Sequence, residues 1–172
     1  ENQNVPRPQM KKRLEEVSYR LNLQELMDRN IFELSGGEKQ QIACGSVYAS
    51  MPQVVVLDEP TTGLDYRECV KVMDIVGRMH EGGATVIMVC HDMEVVSDFA
   101  NRLVVMANGE ILGRGTCADV FANDGLMQRA FVEPPQAIAL AKKLAAEVSP
   151  AFAGLSEVSD IVAVSKELAC RA

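Results

Sequence analysis

Val54-Val55-Val56-Leu57-Asp58-Glu59-Pro60 is an unbroken apolar run that stops on two adjacent acids and a proline. A short run rich in β-branched residues predicts a strand buried on both faces of a parallel sheet. Two carboxylates at the end of such a strand are costly unless they hold a cation or activate water. Asp58 is therefore a candidate for Mg2+, held through its water shell, and Glu59 a candidate for polarising an attacking water. Taken alone, the same residues also fit a strand cap followed by a surface acid.

Working outward, Thr62-Gly63-Leu64-Asp65 follows the strand as a turn. A helix is then expected, with Val72, Met73, Val76 and Met79 on its apolar stripe and Gly82-Gly83 ending it. Thr85 to Cys90 predicts a second buried strand that runs into His91-Asp92. A lone histidine is most often structural, but at a strand end of an α/β sheet it stands where ligands bind. Upstream, Leu34-Ser35-Gly36-Gly37-Glu38 makes Ser35 the N-cap of a helix from Gly36 to about Ser50, stopped by Pro52. Such a helix start offers unpaired N–H groups, and two glycines let backbone approach an anion closely. An ordinary capped helix start has the same pattern.

The flanks are simpler. Residues 1–9, with Pro6 and Pro8, are expected to be loop, and Met10, Leu14, Val17 and Leu21 predict one face of a helix. A short helix is expected from Leu23 to Asp28. Beyond the second strand and another helix, Leu103–Met106 and Glu110–Leu112 flank Asn108-Gly109, a strong hairpin signal. Thr116 and Asp119 frame a capping box. From Phe131 the texture changes. Glu133-Pro134-Pro135 breaks the chain before an Ala- and Leu-rich helix from Gln136 to about Val148. Ser149-Pro150 and Gly154 form a joint before a last helix from about Ser156 to Leu168. Strand–helix–strand order with polar residues past the strand ends means α/β, with chemistry at the carboxyl edge.

Composition bounds the function. The formal net charge of −7 argues against general affinity for nucleic acid or anionic lipid. No apolar run is long enough to cross a bilayer, so a membrane role would come through a partner. Cys44, Cys69, Cys90, Cys117 and Cys170 are widely spaced, without a C-x-x-C pair, and predict reduced, buried thiols. With His80 and His91 as the two histidines, a metal cluster is not expected.

Together, the Ser35 turn, the Val54 strand, the Thr62 turn and His91 resemble the ABC ATPase family. Leu34–Glu38 matches its signature loop, Val54–Pro60 its Walker B strand, Thr62–Asp65 its D-loop and Cys90-His91-Asp92 its switch loop. The resemblance covers residues 31 to about 131 and implies a P-loop NTPase-like fold. In that family two ATPase domains face each other with ATP and Mg2+ between them. By this resemblance Asp58, Glu59 and His91 serve the ATP of their own subunit. Ser35, Gly36, Gly37, Glu38 and Asp65 act on the ATP of the partner.

Two departures stand out. Gln41 replaces a common Arg of the signature helix, and no G-x-x-x-x-G-K-[ST] occurs anywhere in the 172 residues. With Glu1 rather than Met at the start, the expectation is a C-terminal portion of the domain, inactive alone. Residues 1–131 would be the partial ATPase domain, with 1–50 its helical subdomain and signature helix and 51–131 its core. Residues 132–172 would be a helical tail. Glu1–Pro6 and the Glu133-Pro134-Pro135 tail resemble the ATPase subunits of energy-coupling factor importers for vitamins or metal ions. That implies a paired ATPase and transmembrane partners at the cytoplasmic face of the membrane, with no nucleic acid. The alternatives are a non-transport ABC ATPase of DNA repair or translation, or a naturally short, non-catalytic binding partner.

Overall fold

The computed structural model describes residues 5–170. They fall into two compact units, divided between His91 and Asp92. The texture change near residue 131 lies inside the second unit.

Helix α1 (Arg7–Arg20) opens the first unit three residues earlier than the periodicity suggests. The expected loop of residues 1–9 is thus corrected at its end, while residues 1–4 lie outside the described residues. Pro8 is the reason: in the first helical turn its missing N–H costs nothing and its fixed φ favours the helix. Val17 and Leu21 are buried, whereas Leu14 is largely exposed, so the apolar face narrows toward the C-terminal turn. A short α2 (Gln24–Met27) and a 3-10 turn over Ile31–Glu33 lead to α3 (Gly36–Tyr48). Ser35 caps α3 in a complete capping box: its hydroxyl accepts from the Glu38 N–H, and the Glu38 carboxylate accepts from the Ser35 N–H.

Strand β1 (Val54–Asp58) pairs in parallel with β2 (Thr85–Val89), in the register Val54–Thr85 to Asp58–Val89. Between them runs α4 (Tyr66–Glu81), with Cys69, Val72, Met73, Ile75, Val76 and Met79 buried. Burying each large apolar side chain contributes roughly 1.5–3 kcal/mol. Gly82 ends α4, and Gly83 adopts φ 97°, a value open to glycine. Burial on both faces, expected for the two strands, is not found. Val55 and Leu57 are buried, but Val54, Val56, Ile87 and Val89 are 52%, 65%, 51% and 53% exposed. Alternation along a strand sends successive side chains to opposite faces, and the other face is the covered one.

The second unit begins with α5 (Met93–Phe99), capped by Asp92. Strands β3 (Leu103–Ala107) and β4 (Glu110–Gly115) form the expected antiparallel hairpin. Asn108 and Gly109 at φ 53° and 79° give the turn its left-handed backbone. Thr116 and Asp119 close the capping box of α6 (Cys117–Ala122). Helix α7 (Asp124–Ala130), capped by Asn123 and ended by Phe131 at φ 55°, has no counterpart in the sequence reading. Helix α8 (Gln136–Glu147), a 3-10 turn at Pro150–Phe152 and α9 (Val158–Ala169) enclose a small core of Ala141, Phe152 and Ile161. Lys142 pairs with Asp124, joining α8 to α7.

Among the described residues no helix is long and apolar enough to cross a membrane. Among the described residues no disulfide joins the five cysteines. Cys44 and Cys69 are buried as expected, but Cys170 is exposed and Cys90 and Cys117 are half-buried. Burial pushes the Cys44 thiol up, and Cys117 is raised for the same reason.

Candidate functional site

Both groups of candidate residues lie in the first unit. One forms where β1 and β2 end side by side. Leaving β1, the chain turns at Glu59, whose φ of 49° is left-handed and costs about 1–2 kcal/mol for a residue with a Cβ. Hydrogen bonds hold it there. The Glu59 N–H donates to the Val89 carbonyl at 2.9 Å, so the turn is tied to the end of β2. His91 Nδ1 lies 2.7 Å from Glu59 Oε1, and the Thr62 hydroxyl donates to Glu59 Oε2 at 3.0 Å.

The bond from His91 is the main cause that holds the Glu59 carboxyl below its usual range, with Thr62 adding to it. The carboxylate therefore stays ionised and aimed by the donors on His91 and Thr62. Burial acts the other way and raises the Glu59 carboxyl, but the bond from His91 outweighs it. The His91 side chain is 76% exposed and that of Glu59 31%, and Asp58 lies on the bare face of the sheet. Within the described residues, which cover part of the domain, neither of the two adjacent acids is buried. What singles out Glu59 is orientation.

Asp58 suits a cation that keeps much of its water shell. Mg2+ is commonly held by one or two carboxylates and completed by water and phosphate oxygens, a demand that an exposed strand-end acid meets. Among the described residues there is no group of three potential metal ligands.

The second group surrounds the start of α3. Ser35, Gly36, Gly37 and Glu38 form its first turn, and Arg29 Nη1 reaches Glu38 Oε1 at 2.5 Å. The Ser35 N–H bond, followed by Arg29, lowers the Glu38 carboxyl below its ordinary value. Asp65 caps α4 by accepting from the Glu68 N–H at 2.9 Å. The two helix starts touch: a Cβ on Gly36 would stand 3.7 Å from Leu64, and one on Gly37 only 2.8 Å from Glu68. The Ser35 hydroxyl donates to Glu68 Oε1 at 2.9 Å.

The structure thus joins Glu59 with His91, and joins Ser35–Glu38 with the Leu64–Glu68 segment. Arg29 and Glu68 were not singled out by the sequence, and Thr62 was read only as the start of a turn. Thr62 stands three residues after Glu59, a spacing that hints at a side-chain bond. Asp65-x-x-Glu68 looks like a capping box on α4, yet the Glu68 carboxylate goes to Ser35 instead. Arg29 left no signal, because its partner lies nine residues away across an irregular turn.

The sequence pattern of the ABC transporter family matches residues 1–62. A putative ABC transporter ATP-binding protein of Caldanaerobacter subterraneus is 37% identical over 136 residues, which is 79% of this chain and 24% of that protein. The energy-coupling factor transporter ATP-binding protein EcfA of Methanothermobacter thermautotrophicus is 33% identical over 143 residues, 83% of this chain and 46% of the relative. Among solved structures, cbiO1 from Clostridium perfringens, part of the ABC transporter complex cbiONQ, superposes with a TM-score of 0.66 at 26% identity. That match covers 86% of this chain and 53% of cbiO1. The chain spans from about a quarter to about half the length of the relatives it matches. With the fold and the ordered motifs, these likenesses place the chain in the ABC transporter ATP-binding family, of whose ATPase domain it covers a part.

Proposed function

We propose that this chain is part of the ATP-hydrolysing subunit of an ABC importer of the energy-coupling factor kind. The observation that carries this reading is the Glu59–His91 pair at the carboxyl ends of adjacent parallel strands. A strand-end carboxylate, ionised and held by donors on His91 and Thr62, is equipped to take a proton from a water that attacks a phosphoryl group. These donors fix its orientation before the reaction, so little reorganisation is left for the reacting state. His91 acts as the orienting partner, and Asp58 would hold Mg2+ through water. The metal, when bound, neutralises charge that develops on the phosphate oxygens.

Ser35, Gly36, Gly37, Glu38 and Asp65 serve the nucleotide of a facing cassette. Their support is the helix start at α3, whose N–H groups and dipole favour an anion. Residues 1–131 constitute the part of the ATPase domain contained here. Residues 132–172 form a tail that helps two cassettes pair, and Leu140, Val148, Val158 and Val162 are exposed along it. Membrane association comes from transmembrane partners at the cytoplasmic face. The importer kind is supported by relatives and a structural neighbour named for energy-coupling factor and cbiONQ complexes.

The sequence holds no phosphate-cradling G-x-x-x-x-G-K-[ST] loop, so the 172 residues alone are expected to show no Mg2+-dependent ATP hydrolysis in a phosphate-release assay. For the base, the test is Glu59→Gln in the complete ATPase. Turnover should fall about 10²–10⁴-fold with ATP binding kept, the range typical of a lost general base. A normal turnover rate in that variant removes Glu59 from the role.

A further inference from the structure

The Ser35 hydroxyl has one proton to give, and the structure shows where it goes. Its oxygen accepts from the Glu38 N–H at 3.2 Å, and its proton is donated to Glu68 Oε1 at 2.9 Å. Glu68 stands in the first turn of α4, three residues after the Asp65 cap. Glu38 turns back onto its own helix cap, whereas Glu68 reaches across to the start of α3. Its stem lies directly over Gly37, so close that a Cβ there would come within 2.8 Å of the Glu68 Cβ and Cδ. Gly37 is therefore what admits the carboxylate to this place. A negative charge beside the positive end of a helix dipole is favourable in itself. Here it occupies the hydroxyl and the approach that an incoming phosphate would need.

We infer that Glu68 is a positioning residue that occupies the Ser35 turn until the phosphate of a facing nucleotide displaces it. It thereby sets the ATP concentration at which two cassettes close. This rests on the reading that the Ser35 turn serves a nucleotide bound to another subunit. A phosphate and a carboxylate that compete for one proton also repel each other, so removing the Glu68 charge eases closure. Glu68→Gln is the sharp variant, because its amide oxygen still accepts from Ser35 while the charge is gone.

The test measures ATP-driven association of the complete ATPase with its facing cassette, by light scattering, in a Glu59→Gln background that blocks hydrolysis. The half-maximal ATP concentration should fall about three- to tenfold in Glu68→Gln, in keeping with one nearby like charge partly screened by solvent. Glu68→Ala should move it the same way, and the shift should shrink in about 1 M salt. A purely structural Ser35–Glu68 bond would leave the Glu68→Gln midpoint unmoved. An unchanged or raised midpoint overturns this inference alone. If the complete ATPase without the Glu68 substitution shows no ATP-driven association, the facing-nucleotide reading falls as well.

Discussion

The strand end at Glu59 and the helix start at Ser35 are both built from short hydrogen bonds, yet they prepare their groups in opposite ways. At the strand end, His91 and Thr62 donate to one carboxylate, and the donors fix an acceptor that still faces solvent. At the helix start, the chain's own side chains already engage the groups on offer. Glu38 takes the Ser35 N–H, Ser35 takes the Glu38 N–H, and Glu68 takes the Ser35 proton. The first arrangement is ready for a proton. The second has to exchange partners before it can hold a phosphate. In the proposed ATPase this separates a site organised for chemistry from one organised for assembly.

That contrast can be broken from either side. The largest effect is expected at the strand end, where His91→Ala should slow turnover about 10–100-fold through lost orientation of the Glu59 base. The pH profile adds a sign. His91 holds the Glu59 carboxyl below its usual range, so the base stays ionised as pH falls. Without His91 that carboxyl titrates at higher pH, and the acid limb of the rate profile should move upward. An acid limb that stays in place would detach the two residues. At the helix start, Gly37→Ala puts a methyl group 2.8 Å from the Glu68 Cβ, which cannot swing away as a side-chain tip can. Overpacking of this kind costs about 1–3 kcal/mol, visible as a lower denaturation midpoint. Gly36→Ala meets only Leu64 at 3.7 Å, and its stability should change by less than about 0.5 kcal/mol. Equal effects at the two glycines would mean that the Glu68 stem is not held over the turn.

Much of this was legible because local rules were enough. Ser35 and Thr116 cap as their spacing to Glu38 and Asp119 dictates, and Asn108-Gly109 turns the hairpin as that pair requires. The helix stripe of Val72, Met73, Val76 and Met79 is buried as its period demands. The misses share a different cause. The run at Val54–Leu57 is apolar at every position, so its composition suggested cover on both faces, while the described residues cover one. Helix α7 escaped notice because its seven residues carry too short a pattern for periodicity to register. Within the site, Glu59 and His91 were legible as strand-end residues, but their mutual bond depends on strands that pair across 31 residues of sequence. The Glu68 contact was hidden in the same way, since a helix start bonds to whatever tertiary packing brings to it.

The central claim is that the strand end acts on its own subunit's ATP while the Ser35 turn acts on that of a facing subunit. Complementation tests it most directly, in the complete protein paired with a second cassette. One subunit carries Glu59→Gln and the other Ser35→Arg, and ATP turnover is measured for each variant alone and for the mixture. If the two groups serve different subunits, the mixed pair keeps one undamaged site, and turnover should reappear on mixing. If every site draws both groups from a single subunit, each site in the mixture stays damaged, and a mixture as inactive as its components would contradict the account.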